Sequence, residues 1–332
     1  MSLIMVQDNL GIPKYKQIVA SIEDGLTKGI LKKGDKLPSI NYIKDRFSLS
    51  RDTVLTAFNE LKSRGIVESI SGKGYYIKSE SIGITQKIFL LFDELNAFKE
   101  DLYNAFLDNI GENKQVDIFF HHFSPDMFKK LIYDSIGNYS YYIIMPANLK
   151  NTNAIIDKLP SDKVYILDQI HEELSQYPAI YQNFQDDIFN SLKQALSLLN
   201  KYKKIVLLFP DKKQPSGMLL GFQKFRESTN FPCEVINSLH NRELNKGDVY
   251  LVLDDQNLIV LIKKIKEQQF KTGKDIGVIS YNDTLLKEIV EDGITTISTD
   301  FRTMGKRLAQ MVHNNEKLKI ENPNALIIRN SL

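Results

Sequence analysis

Residues 34–77 read GDKLPSINYIKDRFSLSRDTVLTAFNELKSRGIVESISGKGYYI, and this stretch decides the fold of the N-terminal part of the chain. Ser39 and Ser50 each precede an apolar pattern of helical spacing, where a serine side chain can cap the first turn. Two strand-like pieces then flank the glycine-containing residues 71–74, which is the signal of a hairpin. Helix, turn, helix and hairpin in this order predict a winged helix-turn-helix.

A further helix is predicted ahead of this stretch, between Pro13 and Gly29. Proline is tolerated in a first helical turn, and glycine commonly follows a last one. The apolar residues of this segment recur at helical spacing: Ile18, Val19, Ile22 and Leu26. The N-terminal domain is therefore expected to have three helices and a wing.

The third helix of a winged helix-turn-helix enters the major groove of DNA with its N-terminal residues nearest the bases. Here Arg51 can contact a phosphate or a guanine edge, and Thr53 can bond a phosphate or a base. In the wing, Gly72 lets the backbone come close to DNA, and Lys73 meets the negative potential of the minor groove. Residues 1–80 carry 13 Lys and Arg against 9 Asp and Glu, a mild excess that a solvated surface explains equally well.

The same stretch resembles the GntR winged-helix domain over nearly its full length. The shared pattern is G-x-x-LPS, SR-x-TV, L-x-x-x-G, and then G-x-G ahead of an apolar strand. The family usually has Glu-Arg after LPS, whereas this chain has Ile40-Asn41, so one arginine contact is missing and Asn41 is only a partial substitute. The serines can equally serve as helix caps alone, and the glycines can serve the turn alone. With Asn41, the DNA-contacting residues that the resemblance implies are Ser39, Ser50, Arg51, Thr53, Gly72 and Lys73.

From about Ile88 onward, short apolar runs alternate with helical stretches. Near-continuous apolar strands separated by helices indicate a parallel sheet that is buried on both faces. Seven such strands favour two doubly wound lobes over one. The runs are 88–92, 116–120, 142–145, 164–167, 205–209, 249–253 and 276–279.

Length and composition bound the class of protein. A single core stops growing at roughly 250–300 residues, so a chain of 332 residues is expected to have two or more domains. Cys233 is the only cysteine, which excludes a disulfide framework and a cysteine-based zinc site. No apolar run approaches the length of a membrane helix, and residues 1–10 lack a secretory signal, so a cytoplasmic protein without a membrane partner is expected.

The predicted fold class is therefore multidomain. A small winged helix-turn-helix is expected in residues 1–79, and residues 80–87 are a polar linker. A two-lobed α/β doubly wound domain, for effector binding and dimerisation, is expected in residues 88–332.

The larger domain is similar to the LacI/periplasmic-sugar-binding-protein effector domain. The strongest resemblance is in residues 275–311, DIGVISYNDTLLKEIVEDGITTISTDFRTMGKRLAQM, where the family has a strand, a Gly-Phe-Asp-Asp-like turn, a Leu-Thr-Thr strand and a Met-Gly-Arg helix. Weaker matches are LVLDDQN at 251–257 and LLGFQKF at 219–225. The whole chain thus resembles arabinose-responsive repressors, which join a GntR head to a LacI-type body, and the resemblance implies a periplasmic-binding-protein-like fold.

Ligands of open α/β sheets bind outside the carboxyl ends of the strands, so polar residues directly after the apolar runs are site candidates. Carboxylates and amides suit the vicinal hydroxyls of a sugar, and aromatic rings supply apolar faces. The polar candidates are Asp93, Glu94, Asn96, Asp168, Gln169, Asp254, Asp255, Asn282 and Asp283. The aromatic candidates are Phe92, Phe98, Phe184 and Tyr281.

The resemblance assigns roles to some of these residues. Asn282 takes the position of an aspartate that binds sugar hydroxyls, and Asp254 that of another polar contact. Asn183 falls where an aspartate is usual, and Phe184 replaces the asparagine after it. Each strand-end residue can equally be a helix cap. The effector-binding residues expected overall are Asp93, Asn96, Asn183, Asp254 and Asn282.

Met218 stands where the family has a sugar-binding arginine three residues before Gly221. This departure removes a main polar anchor. Either Lys212 or Lys213 compensates for it, or the ligand differs from the usual one.

Two classes of function remain open. The first is a repressor of a sugar-utilisation operon, binding operator DNA as a homodimer and released by a monosaccharide between the two lobes. The family analogy favours a pentose or a 6-deoxyhexose, such as L-arabinose or L-fucose. The alternative is a sugar-modifying enzyme with a DNA-binding head, and the absence of a nucleotide loop or nucleophile motif argues against it. A periplasmic binding protein is a third possibility, against which the missing signal sequence counts.

No cofactor or metal is expected. The pair His121-His122 invites a metal site, but neighbouring residues on a strand point to opposite faces and do not easily share one ion.

Overall fold

The computed structural model describes residues 4–7, 12–80, 86–112, 114–210 and 214–332. The chain divides into two compact units. The first unit consists of Met1–Asp93, Ile110–Met145 and Asn151–Tyr165. The second consists of Glu94–Asn109, Pro146–Lys150 and Ile166–Leu332.

The N-terminal elements follow the predicted order of a winged helix-turn-helix. They are α1 Lys14–Thr27, α2 Ile40–Phe47, α3 Arg51–Ser63, β1 Val67–Ile70 and β2 Gly74–Ile77. Ser48 has a φ of 50° and makes the left-handed turn between α2 and α3. The apolar residues predicted to face inward form one core, in which Ile18, Val54 and Phe58 are fully buried.

A six-stranded sheet, called here the first sheet, begins after the hairpin. Its strands are β3 Gln86–Phe92, β4 Lys114–Phe120, β5 Tyr141–Ile144, β6 Val164–Asp168, β7 Ala179–Tyr181 and β13 Lys319–Glu321. Their order is β13-β7-β6-β5-β3-β4. The pairs β3–β4, β3–β5, β6–β7 and β7–β13 are parallel, as the apolar runs predict.

The second sheet also has six strands and lies within the second unit. Its strands are β8 Lys204–Leu208, β9 Cys233–Ile236, β10 Asp248–Val252, β11 Gly277–Tyr281, β12 Thr295–Thr299 and β14 Asn324–Ile327. Their order is β14-β12-β11-β10-β8-β9. Only β14 pairs antiparallel, against β12. Because the other strands are parallel, their carboxyl ends meet at one edge, where ligands of such sheets bind.

Helices alternate with these strands. They are α4 Ala97–Asn109, α5 Pro125–Ser135, α6 Asn153–Ile156, α7 Phe184–Gln194, α8 Leu196–Leu199, α9 Ser216–Thr229, α10 Asp255–Glu267, α11 Leu285–Ile289 and α12 Phe301–His313. Short 3₁₀ turns occur at Ser161–Lys163, Glu172–Leu174 and Val290–Asp292. Gly221 brings α9 against α7 so closely that a Cβ there would lie 2.2 Å from the Gln185 carbonyl oxygen.

The predicted fold class is confirmed, and all seven predicted strands are present as β3, β4, β5, β6, β8, β10 and β11. The apolar pattern missed β7 and β13, which are only three residues long, the half-exposed β9 and β14, and the buried β12, in which threonine and serine interrupt the apolar run. Only the LacI-type resemblance indicated a strand at β12. β3 begins at Gln86, inside the stretch predicted as linker, and residues 81–85 of that stretch lie outside the described residues. The boundaries 1–79, 80–87 and 88–332 remain predictions.

Candidate functional site

Two serines of the winged helix cap the helices that they precede. The Ser39 hydroxyl accepts a hydrogen bond from the Tyr42 amide at 3.1 Å, and the Ser50 hydroxyl accepts one from the Thr53 amide at 3.1 Å. The Ser50 and Thr53 hydroxyls are also 2.8 Å apart and hydrogen-bonded. These side chains therefore stabilise the helix starts, and a DNA contact by Ser39, Ser50 or Thr53 remains a prediction.

Arg51 occupies the first position of α3 and is exposed. Its guanidinium makes no hydrogen bond or ion pair with another residue of the part of the chain that the structure describes. A planar group with five N–H donors and no partner is suited to a phosphate or to the edge of a guanine.

The wing tip lies between β1 and β2. Gly72 and Gly74 have φ values of 71° and 111°, so both adopt backbone conformations that favour glycine. The amide of Lys73 donates to the Ile70 carbonyl at 3.0 Å, and its side chain is exposed. The turn therefore presents one lysine at its tip.

The helix α2 carries an aromatic and basic pair that the sequence analysis missed. Arg46 donates to the hydroxyl of Tyr42, and its guanidinium lies 5.8 Å from the ring centroids of both Tyr42 and Phe47. Asn41, the predicted contact, is exposed one residue before Tyr42. The i, i+4 spacing of an aromatic residue and an arginine on a helix was the available signal.

Two of the predicted effector residues, one after β10 of the second sheet and one after β7 of the first sheet, are helix caps. Asp254 follows β10 and caps α10, with Oδ1 accepting from the Asn257 amide at 2.8 Å and Oδ2 accepting from the Asn257 side chain at 2.7 Å. Asn183 caps α7 through a 3.3 Å bond from the Asp186 amide, and its own amide donates to Asp186 and Glu321. Both side chains thus already have local partners.

Asn282 differs from these caps. It follows β11 with a φ of 58°, a conformation that is unusual outside glycine and often found at functional sites. Its Oδ1 is buried and has no hydrogen-bond partner among the described residues. A buried acceptor without a donor costs free energy that a bound hydroxyl would recover.

Lys287, on α11, hydrogen-bonds the backbone at the end of β11. It was not among the residues predicted from the sequence. Its ammonium donates to the carbonyls of Tyr281 and Asn282 at 2.9 and 2.7 Å and pairs with Asp255 at 2.8 Å. Burial lowers the pKa of Lys287, while the hydrogen bond that its ammonium donates to Asp255 opposes that shift. The lysine therefore fixes the backbone on which Asn282 stands.

A buried hydrogen-bond chain joins residues from β11, β7 and β6. The Tyr281 hydroxyl donates to Gln182 at 3.1 Å, and the Gln182 amide donates to Asp168 at 2.5 Å. Burial holds the pKa of Tyr281 well above its usual range, and the nearby carboxylates of Asp187 and Asp168 add to this. The chain keeps Tyr281 neutral and fixed, and its ring lies 6.4 Å from that of Phe184. A contact between either ring and a ligand remains a prediction.

Asp283 is a structural residue. Its carboxylate accepts two hydrogen bonds from Arg329, at 2.7 and 2.8 Å, and one from Thr296 at 2.9 Å. These contacts lower its pKa against the opposing effect of burial. A carboxylate held by three donors in this way has little remaining capacity for a sugar.

The other effector predictions lie at separate places. Asp93 is buried just after β3 in the first unit, and Asn96 accepts from the Lys99 amide at 3.2 Å at the start of α4 in the second. Met218 is 3% exposed and belongs to the apolar core that also includes Phe184 and Tyr281. Lys212 and Lys213 lie outside the described residues.

The histidine pair departs from its predicted setting. His121 and His122 lie beyond the end of β4 in a turn, and the His121 Nε2 hydrogen-bonds the Met145 carbonyl at 3.0 Å. Within the described ranges, no three His, Cys, Asp or Glu side chains are grouped so that they could hold a metal ion. None of the described helices has the length and apolar character required to cross a membrane.

Comparisons with known families match both parts of the chain. Residues 14–77 match the family of bacterial regulatory proteins called gntR, and residues 198–332 match the periplasmic binding protein-like domain. The HTH-type transcriptional repressor YtrA of Bacillus subtilis is 31% identical over 106 residues, which are 32% of this chain and 78% of that protein. The arabinose metabolism transcriptional repressor of Geobacillus stearothermophilus is 19% identical over 91% of this chain and 90% of its own length.

Among solved structures, the lactose repressor bound to the anti-inducer ONPF has the same fold as the body. It matches with a TM-score of 0.63 and 19% identity, over 74% of this chain and 99% of that chain. The chain therefore belongs to the gntR family of bacterial regulatory proteins, and its winged helix is followed by a body with the LacI-like periplasmic-binding fold.

Proposed function

We propose that the protein represses a sugar-utilisation operon by binding operator DNA, and that a monosaccharide releases it. The observation that carries the DNA-binding part is Arg51, an exposed guanidinium with no partner among the described residues, at the start of the third helix of a winged helix. Lys73 at the wing tip supports it as a second contact. A regulator of this kind acts where the chromosome is, so we infer a cytoplasmic location.

The missing family arginine after LPS has a candidate substitute in Arg46. This residue lies on α2, the helix that crosses the DNA backbone in such motifs. Its contact with Tyr42 limits the positions that its guanidinium can take. We therefore propose that Arg46 contacts a phosphate and that Asn41 adds a weaker polar contact.

The effector is proposed to bind at the carboxyl ends of β10 and β11. The unpaired Oδ1 of Asn282 is the acceptor for a sugar hydroxyl, and the Asp254 carboxylate lies at the neighbouring strand end. Asp93, Asn96 and Asn183 are proposed as further contacts. A ligand changes DNA affinity only if it binds one state of the protein better than the other.

A pentose or a 6-deoxyhexose, such as L-arabinose or L-fucose, is the proposed effector class. The relative from Geobacillus stearothermophilus is named for arabinose metabolism. Met218, in place of the arginine that the LacI resemblance leads one to expect, makes this part of the protein less polar. A sugar with fewer hydroxyls, or with a methyl group, fits such surroundings better than a hexose.

We further propose that the protein is a homodimer. Two recognition helices are needed to read the two halves of a symmetric operator. The second unit exposes an apolar patch on α10 and α11, in which Leu285, Ile289 and Leu286 are 77%, 75% and 65% exposed and Ile259 is 53% exposed. An exposed apolar patch of this kind marks a protein interface, and a second copy of the chain is the occupant that DNA symmetry requires.

Sedimentation of Leu285→Asp as a monomer would support this assignment, and an unchanged dimer would refute it.

A mobility shift on the DNA upstream of the protein's own gene, titrated with single sugars, tests the function. Release by one pentose or deoxyhexose, with the sugar recovered unchanged, is the expected result. If no sugar alters DNA affinity, the sensor role is wrong. If a product accumulates, the protein is an enzyme with a DNA-binding head.

A further inference from the structure

A pocket of about 310 Å³ lies in the second unit, between α7 and the chain that leads from β13 into β14. Its lining residues come from one face of α7 and from the start of β14. Those with polar side chains that matter for a ligand are Asp187, Asn190, Ser191, Gln194, Glu321 and Asn324. The volume falls within the range of small-molecule sites in proteins. None of these residues is among the effector contacts proposed above.

The pocket has a negative character that its own residues do not neutralise. Asp187 and Glu321 line it, and none of the described lining residues is Lys, Arg or His. Asp186 lies next along the chain from Asp187, and its carboxylate pairs with Lys224 of α9 at 2.9 Å. The ammonium of Lys224 is therefore already paired with a carboxylate outside the pocket lining.

Asp187 is the unusual member of this set. It is 8% exposed, and its Oδ2 is buried with no hydrogen-bond partner among the described residues. A buried carboxylate is normally paired or hydrogen-bonded, because removing it from water is costly. Here the carboxylate lines a cavity large enough to admit the missing partner.

Besides the unpaired acceptor of Asp187, the pocket lining contains a hydrogen-bond donor that has no partner among the described residues. The side-chain nitrogen of Asn324, at the start of β14, is buried and has no partner among the described residues. The remaining lining is mostly amide and hydroxyl groups, from Asn190, Ser191 and Gln194. A ligand that satisfies both unpaired atoms carries a donor for Asp187 and, on the same small skeleton, an acceptor for Asn324. The uncompensated carboxylates of the lining favour a cationic donor.

We propose that this pocket binds a small hydroxylated ammonium compound, with the ammonium against Asp187 and Glu321 and the hydroxyl oxygen against Asn324. An ammonium group has three donors and no acceptor, which matches two carboxylates and neighbouring amide oxygens. A metal ion fits less well, since the described residues here do not group three metal-ligating side chains. Its two carboxylates are not among the proposed sugar contacts, although the Asn183 side chain donates to Glu321 at 3.2 Å, and the proposal does not rest on the identity of the sugar.

Ionisation of Asp187 gives the site a pH signature. Burial, followed by the charges of Glu321 and Asp186, raises the pKa of Asp187 to about 7. The groups that face it are Glu321 from β13, Asp186 on its own helix and the neutral phenol of Tyr281 from β11. A cation requires the ionised carboxylate, so affinity rises with pH through this range.

The test is calorimetry on the full chain with two probes. The first is ethanolamine, and the second is ethylene glycol, in which a hydroxyl replaces the ammonium group. Ethanolamine should bind and ethylene glycol should not. Between about pH 6 and about pH 8, the ionised fraction of a carboxyl with a pKa of about 7 grows roughly tenfold, and ethanolamine affinity should grow by a similar factor. Equal binding of the two probes, or no binding of ethanolamine, overturns the proposal.

Three variants separate the pocket from non-specific attraction. Asp187→Asn should weaken ethanolamine binding about tenfold or more and remove its pH dependence. Glu321→Gln should weaken binding but keep a pH dependence, because Asp187 still titrates. Glu227→Gln removes an exposed carboxylate of α9 in the same unit and should change neither. Loss of binding in Glu227→Gln, or unchanged binding in Asp187→Asn, contradicts the site.

Folding of the key variant is checked separately. Below about pH 4 both folded and unfolded chains hold the Asp187 proton, whereas above about pH 7 the folded wild type carries a buried, unpaired charge. Asp187→Asn should therefore unfold at a higher temperature than the wild type near pH 8 and at the same temperature near pH 4. A lower unfolding temperature at both pH values would show that Asp187 is structural and would refute the assignment.

Discussion

The winged helix and the strand ends of the second sheet both place polar residues at helix starts, but they use them differently. In the winged helix, Ser39 and Ser50 cap α2 and α3 and leave the longer Arg51 free in the solvent. At the second sheet, the predicted contact Asp254 is itself the cap. In the winged helix the free polar group therefore belongs to the residue after the cap, whereas at α10 the proposed ligand contact also has to cap the helix.

The free polar atoms of the two regions also differ in their surroundings. The Arg51 guanidinium is exposed and suited to a large polyanion, whereas the Asn282 Oδ1 is buried and suited to a small neutral ligand. The buried atom is selective for ligands that donate a hydrogen bond to it, because a desolvated polar group without a partner costs free energy. The exposed charge provides long-range attraction and depends on salt. The predictions below test this contrast.

The largest effect is expected for Arg51→Ala. The loss of one guanidinium contact to a base edge costs about 1–3 kcal/mol, or roughly tenfold to hundredfold in operator affinity. Fluorescence anisotropy with labelled operator DNA measures it. Lys28→Ala, which removes an exposed cation of the same domain at the end of α1, is the matched control. Equal losses in the two variants would mean that only net charge matters.

A smaller effect is expected for Asn282→Ala. The sugar concentration needed for DNA release should rise about fivefold, since one buried hydrogen bond is worth about 1 kcal/mol, while DNA affinity without sugar stays unchanged. Asn241→Ala controls for the backbone, because Asn241 has a similar φ of 55° and is exposed in the same unit. If both variants shift the sugar response alike, backbone strain is the cause and Asn282 is not a contact.

At Ser50, the capping of α3 and the predicted DNA contact can be tested separately. Ser50→Ala should lower the free energy of unfolding by about 1 kcal/mol, because the α3 cap is lost. Ser50→Asp retains a capping side chain but adds a negative charge beside the bound phosphates, so stability should be kept while operator affinity falls. Thermal unfolding and anisotropy are measured on both variants. Normal DNA binding by Ser50→Asp would place this residue away from the DNA backbone.

The smallest effect is expected for Lys73→Ala. A wing-tip lysine that meets only phosphates contributes to all DNA sequences alike, so the slope of log affinity against log salt should fall by about one. The preference for operator over unrelated DNA should be unchanged. A change in that preference would show that the wing reads the minor groove directly.

Much of the fold was predictable from local patterns. The winged helix follows from two serine caps, from Gly72 and Gly74 at the wing, and from apolar residues at helical spacing, all within a short stretch of chain. The buried strands were recognisable as continuous apolar runs. The short strands β7 and β13 were not, because three residues are too few to form a recognisable apolar run.

The candidate sites were only partly predictable. The sequence placed Arg51, Lys73, Asp254 and Asn282 at helix starts and strand ends, since those positions depend on local structure. Whether each polar group is free or already paired depends on residues far along the chain, as the bond between Asp283 and Arg329 illustrates. Pattern alone therefore treated Asp254, Asn282 and Asp283 as equivalent.

The sequence by itself determined that this chain has a DNA-binding winged helix and a two-sheet α/β body, because helix caps, glycine turns and apolar periodicity act between near neighbours. Only the tertiary structure decided which strand-end groups are left without partners. Tyr281 meets Gln182 across 99 positions of sequence, and Asp187 is left beside Glu321 in a pocket that two distant segments form. The physical reason is that desolvation and hydrogen bonding in a core depend on what folding brings into contact, which no local pattern specifies.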